Sequence, residues 1–232
     1  MRTFLVIAAA ALASLTAPAS AATRNFGITG FTKIRVDGPY KVTLASGVAP
    51  FARATGPGPA LDRLTVEVRG DTLVVQANKS GWGGYPGQNP GPVEVRVGTH
   101  ELSNAWVNGA GALLIDRVGG LSFALSVQGS GRAEIASADA DQLNVSLVGT
   151  ASAKLGGRAK KLTALVRGIS ALDATDLAAT DASIGTEGAA TIDAKVTDEA
   201  TIDSSGPATI RLTGRPTCTL RTGGSATVSG CR

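Results

Sequence analysis

Aromatic side chains make up only 4% of the 232 residues, and the chain holds one histidine, one methionine and two cysteines. Each shortage closes off a class of function. His100 has only Glu101 beside it, so no histidine-based nucleophile–base pair can be assembled and no His-rich metal cluster exists. A calcium site needs converging carboxylates. Asp173, Asp176 and Asp181 come nearest, but they fall at different phases of the repeat described below. Two cysteines exclude a dense disulfide scaffold. Scarce rings leave core packing to Ala, Val, Leu and Ile. Charge is sparse too. A net +4 with both signs scattered is too little for a nucleic-acid or membrane-surface footprint. No cofactor and no metal are expected. After residue 21 no apolar run approaches the roughly 18 residues of a membrane span.

Glycine, in contrast, is plentiful at 30 residues. In the second half it returns at Gly109, Gly129, Gly149, Gly168, Gly188, Gly206 and Gly224, every 18 to 20 residues. A fixed period of that length signals stacked coils. Four residues after each glycine stand Leu113, Ala133, Ala153, Leu172, Ile192, Ile210 and Val228. Four residues before stand Ala105, Leu125, Val145, Ala164, Ile184, Ile202 and Leu220. Both columns share one parity about the glycine, and strand side chains alternate faces. That parity is therefore the inward face of two short strands with the glycine at their corner. Two residues after it the side chain is always small, from Gly111 and Gly131 to Ala208 and Ala226. A tight corner leaves no room for more.

The other parity is polar. Glu134, Lys154, Asp173, Asp193 and Arg211 form one column. Its mixed signs read as a solvated face rather than a polyanion-binding ladder. Thr191, Thr209 and Thr227 form another, an ordinary β-surface choice. Cys218 occupies an inward column and Cys231 lies near the end of the same coil. The coil must close, so the two are expected to form a disulfide that staples the last, least supported turn.

The first half lacks the period but alternates as strands do: Ile34 and Val36, Val42 and Leu44, Leu64 to Val68, Val93 to Val97. Residues 26–101 are expected to form the irregular opening coils and the cap, with Arg69-Gly70-Asp71 as a hairpin turn. No window shows a helical period. Residues 80–92 are too rich in Gly and Pro for regular structure and read as a protruding loop. It holds Trp82 and Tyr85, which either fold back as a lid or form a stacking contact for a sugar or partner. They are the candidate ligand-binding residues.

Residues 1–21 run from Arg2 through an apolar stretch to Ala19-Ser20-Ala21, the pattern of a secretory signal peptide. Residues 22–232 are then expected to form one exported solenoid domain, periplasmic or at the cell surface.

The segments Val127-Gln128-Gly129-Ser130-Gly131, Leu147-Val148-Gly149-Thr150-Ala151 and Asp203-Ser204-Ser205-Gly206-Pro207-Ala208 resemble the G-S-G units of the head GIN domain family. Phe31 to Val36 and the stretch from Leu212 to Ala226 extend the likeness over most of residues 26–232. The resemblance implies an all-β, right-handed parallel β-helix in bacterial exported proteins, with no established catalytic residues and a role in adhesion. Several units here are replaced by Gly-Thr-Ala, Gly-Ile-Ser or Gly-Ala-Ala, which keep the small third residue. The expected function is a non-catalytic binding or adhesion module of the envelope, with a glycan or surface protein as partner. The alternatives are a carbohydrate-active β-helix enzyme of the polysaccharide-lyase type and a purely structural periplasmic protein.

Overall fold

The computed structural model describes residues 21–78 and 91–232. Strands account for 72% of the chain and helix for 2%, and the strands wind into a β-solenoid of about 6 turns. In chain order they are β1 (Ala22–Phe26), β2 (Lys33–Asp37), β3 (Lys41–Ser46) and β4 (Phe51–Gly56), then the short helix α1 (Gly58–Asp62). Next come β5 (Leu64–Arg69), β6 (Thr72–Ala77), β7 (Glu94–Thr99), β8 (Asn104–Gly109), β9 (Ala112–Gly129) and β10 (Arg132–Gly149). The chain continues through β11 (Ser152–Gly168), β12 (Ala171–Glu187), β13 (Thr191–Val196), β14 (Glu199–Ser205), β15 (Thr209–Thr213), β16 (Thr217–Gly223) and β17 (Thr227–Ser229).

From β8 onward each coil stacks in parallel on the one before it. The long strands β9 to β12 serve two arms each. The segment after one corner glycine pairs with its counterpart a coil away, and so does the segment leading to the next glycine. All seven corner glycines have positive φ, between 81° and 106°. Glycine is needed there twice over. The left-handed backbone disfavours a Cβ, and the stack occupies its place: a Cβ on Gly149 would lie 2.8 Å from the Gly129 carbonyl oxygen. The expected inward columns are buried from Ala105 to Leu212. They join one largely aliphatic cluster running back to Phe31, in which Phe31 and Phe123 are the only buried rings among the described residues. The outward columns form ion pairs between coils, such as Arg211 with Asp193 at 3.2 Å.

The last coil departs from the expected pattern. Leu220 belongs to the inward column yet is 47% exposed. Among the described residues no strand stacks beyond β16 and β17, so none of them lids the column there. The Cys218–Cys231 disulfide does form, and both cysteines pack against the core from partly buried positions.

The N-terminal coils do not stack in chain order. β2 and β3 turn at Gly38, with φ 107°, and pair in parallel with β8 and β9 on one side. On the other side they pair in parallel with β6 and β7. The first coil in sequence is thus second in space. Alternation predicts which face a residue shows but not which strand lies beside it. Beyond β6 and β7 the pairing turns antiparallel: β5 on β6, β4 on β7 and β1 on β4. The β5–β6 hairpin turns at Arg69-Gly70-Asp71, as expected. α1 follows Pro57 and buries Ala60 and Leu61.

Candidate functional site

β8 alternates Ala105 and Val107 inward with Asn104, Trp106 and Asn108 outward. Trp106 therefore lies on the surface, half-buried, three residues before the corner glycine. The same column continues in register through Ser126, Ser146 and Leu165. Two serines next to an indole leave a depression of about 270 Å³, lined by Trp106, Ala124, Ser126, Ser146, Thr163 and Leu165. Trp106 and Leu165 stand three coil spacings apart, roughly 14 Å between backbones. On the other side of Trp106 a second depression of about 460 Å³ is lined by Arg35, Thr72, Asn108 and Gln128. The indole is the wall between the two.

This face is neutral over three coils. Asn104, Trp106 and Asn108, then Ala124, Ser126 and Gln128, then Asn144, Ser146 and Val148 point outward in register, and none carries charge. Arg35 borders it, but its guanidinium is paired with Asp37 at 2.8 Å. Asn108 donates to the same Asp37 carboxylate at 2.6 Å. Asn144 donates to Ser122 at 3.4 Å. An aromatic face amid amides and hydroxyls can stack on an apolar ring face and hydrogen-bond at its edge. It offers no ion pair and no group for proton transfer.

Trp82 and Tyr85 lie outside the described residues. His100 is exposed beside a shallow cavity of about 600 Å³ that also includes Glu101, Arg117 and Asp139. Asp139 is taken by the two-pronged Arg158 guanidinium at 2.8 and 2.7 Å, which holds its carboxyl below the usual range. Asp173 accepts from the Thr175 hydroxyl and N–H at 2.6 and 3.1 Å and is lowered by those bonds. Asp176 pairs with Lys154 at 3.2 Å and raises that ammonium's pKa. Asp173 and Asp176 thus each have their own hydrogen-bond or ion-pair partner. Among the described residues no group of three or more His, Cys, Asp or Glu side chains gathers as a metal site. Among them, too, no helix is long and apolar enough to cross a membrane.

Trp106 is the residue that sequence reasoning passed over. The signal was present: three positions before each glycine the column reads Trp, Ser, Ser, Leu, Gly, Asp, Arg. One ring heads a run of small residues at outward parity.

The family model described as putative auto-transporter adhesin, head GIN domain, matches residues 30–216. The chain belongs to the head GIN domain family. Solved structures share this head GIN fold. A putative adhesin from Bacteroides fragilis is 21% identical with a TM-score of 0.80, covering 90% of this chain and 96% of its own. A putative lipid binding protein from Parabacteroides distasonis is 21% identical with a TM-score of 0.71, covering 90% and 95%. A putative adhesin from Parabacteroides merdae is 16% identical with a TM-score of 0.72, again covering 90% and 95%. At these identities the likeness is one of fold. No curated protein matches the sequence.

Proposed function

We propose that this head GIN protein is an exported, non-catalytic adhesion module that binds an uncharged glycan on the Trp106 face. The observation that carries the reading is one surface indole amid outward residues of three coils, none of them charged. The family description as an adhesin supports the class. The disulfide suits an oxidising compartment, and the signal-peptide pattern puts cleavage after Ala21, which makes β1 the first strand of the mature chain. Trp82 and Tyr85 are proposed as a second aromatic contact for the same ligand.

A glycan array with the purified protein tests the class, and three single variants test the site. Trp106→Ala is expected to weaken the best glycan by at least about 1 kcal/mol, the threshold for a contributing contact. Trp82→Ala and Tyr85→Ala are expected to weaken it less. Full affinity in Trp106→Ala, with binding lost in Trp82→Ala, moves the site to the loop. Reproducible cleavage of any arrayed polysaccharide overturns the non-enzymatic reading.

A further inference from the structure

A different surface lies at the N-terminal end of the stack, where β1, β4 and β7 run side by side. The antiparallel register sets Asn25 opposite Arg53, and Arg53 opposite Arg96. Both arginines point outward and are exposed. Like charges directly opposed across a strand pair destabilise it. Among the described residues several surface cations face a carboxylate, as Lys33 faces Asp71 and Arg167 faces Glu187. Arg53 and Arg96 do not. The acid nearest in the grid, Glu94, is taken by the Lys41 ammonium at 2.7 Å. Arg53 Nε donates to Asn25 Oδ1 at 2.9 Å. Among the described residues no carboxylate lies within 4.0 Å of either guanidinium.

Both arginines line an open cavity of about 890 Å³. Its other wall is apolar: Phe26, Ile28, Pro50 and Phe51. Phe51 is 44% exposed, and its ring lies over Gly98, where any side chain would collide with it. The polar side also includes Thr23, Asn25, Thr55 and Glu94, whose carboxylate is paired with the Lys41 ammonium.

We infer that this cavity binds an anionic amphiphile, with its carboxylate or phosphate head between Arg53 and Arg96 and its apolar chain along Phe26, Ile28, Pro50 and Phe51. The guanidinium fork matches both head groups, because each offers two oxygens to parallel N–H donors. One anion there converts a repulsive pair into two attractive ones. The apolar wall selects against a small ion, which would leave Phe51 in water. This site is separate from the Trp106 face and does not depend on the reading of that face.

Calorimetric titration of the purified protein with dodecanoate, dodecyl phosphate, dodecanol and acetate, each below aggregation, tests it. Either anionic amphiphile binding, with dodecanol and acetate silent, supports the site, and the better head names the source. The Arg53→Thr/Arg96→Thr double variant is expected to lose affinity on the order of tenfold or more. Its ligand-free melting midpoint is expected to rise, since the opposed charges are gone. Phe51→Ser is expected to weaken the same ligands, and Trp106→Ala to leave them unchanged. The inference is overturned if neither anionic amphiphile binds, if dodecanol binds as well as dodecanoate, or if the double variant keeps wild-type affinity.

Discussion

The coils from β8 to β17 and the coils from β1 to β7 bury the same aliphatic side chains but meet their neighbours across very different lengths of chain. In the regular part, contacts between coils join residues about one repeat apart: Arg158 with Asp139 at 19, Arg167 with Glu187 at 20, Arg211 with Asp193 at 18. In the N-terminal part, Lys41 meets Glu94 across 53 residues, and Asn108 meets Asp37 across 71. The ends differ as well. The N-terminal end is closed by antiparallel strands and α1, which cover the core. At the C-terminal end none of the described residues forms a lid, and one covalent bridge holds the last coil. A repeat can be extended by copying, but a cap must be built from something that does not repeat.

The largest expected effect tests whether position in the stack, not column, decides cost. Leu125 and Leu220 share one column, yet Leu125 is 2% exposed and Leu220 47%. Leu125→Asp buries an unpaired charge and is expected to cost several kcal/mol, enough to lose the cooperative melt. Leu220→Asp is expected to cost well under about 1 kcal/mol. Equal destabilisation in denaturant melts refutes the open C-terminal end.

Next comes the corner glycine. Gly149 and Gly47 both have positive φ, at 99° and 77°, but a Cβ on Gly47 meets nothing within 4 Å. Gly47→Ala carries the backbone strain alone, about 1–2 kcal/mol. Gly149→Ala adds the clash with Gly129 and is expected to cost about 3 kcal/mol or more. The difference between the two melts measures the stacking contribution.

The third prediction concerns the staple. Replacing Cys218 and Cys231 by serine opens a short loop and should cost about 2–3 kcal/mol in the chain-entropy picture. Hydrogen exchange should quicken in β16 and β17 and stay unchanged in β2 and β3. Loss of protection in the N-terminal coils would erase the distinction between the two ends.

The smallest effect is on the surface. Glu134→Ala should leave the melt where it was. Asp71 and Glu94 in the N-terminal part and Asp139 in the regular part are all held below the usual carboxylate range by a neighbouring cation. Their contribution is present above the unfolded value and is lost as pH falls through the folded one. A slight acid weakening, alike in both parts and suppressed by salt, is expected in pH-dependent melts.

The regular coils were legible because three constraints fall on one period: positive φ at Gly129, a small residue at Gly131, and an aliphatic one at Ala133. The threading of β2 and β3 between later coils was not, because Val42 and Leu44 would look the same beside any aliphatic neighbour. The antiparallel pairing of β4 with β7 and of β1 with β4 was hidden for the same reason, whereas the β5–β6 hairpin was legible at Arg69-Gly70-Asp71. At the surface, Trp106 was legible through parity, but a reading that sought rings in loops passed over a ring on a strand. Arg53 and Arg96 stand 43 residues apart and become neighbours only through register.

The threaded coil also has a consequence in time. β2 and β3 are made before any of the strands they pair with, β6 to β9. Such a seed grows in two directions. Toward β8 and β9 the chain must first return across 71 residues, and only beyond β9 does each added turn close a loop of one repeat, which is quick. Toward β7 the chain must first wander away and return across 53 residues. Assembly therefore needs a latch on each side of β2 and β3, and a zipper runs only from β9 onward. Until the latches close, the free edges of β2 and β3 are the surface that a newly made chain must keep from its neighbours.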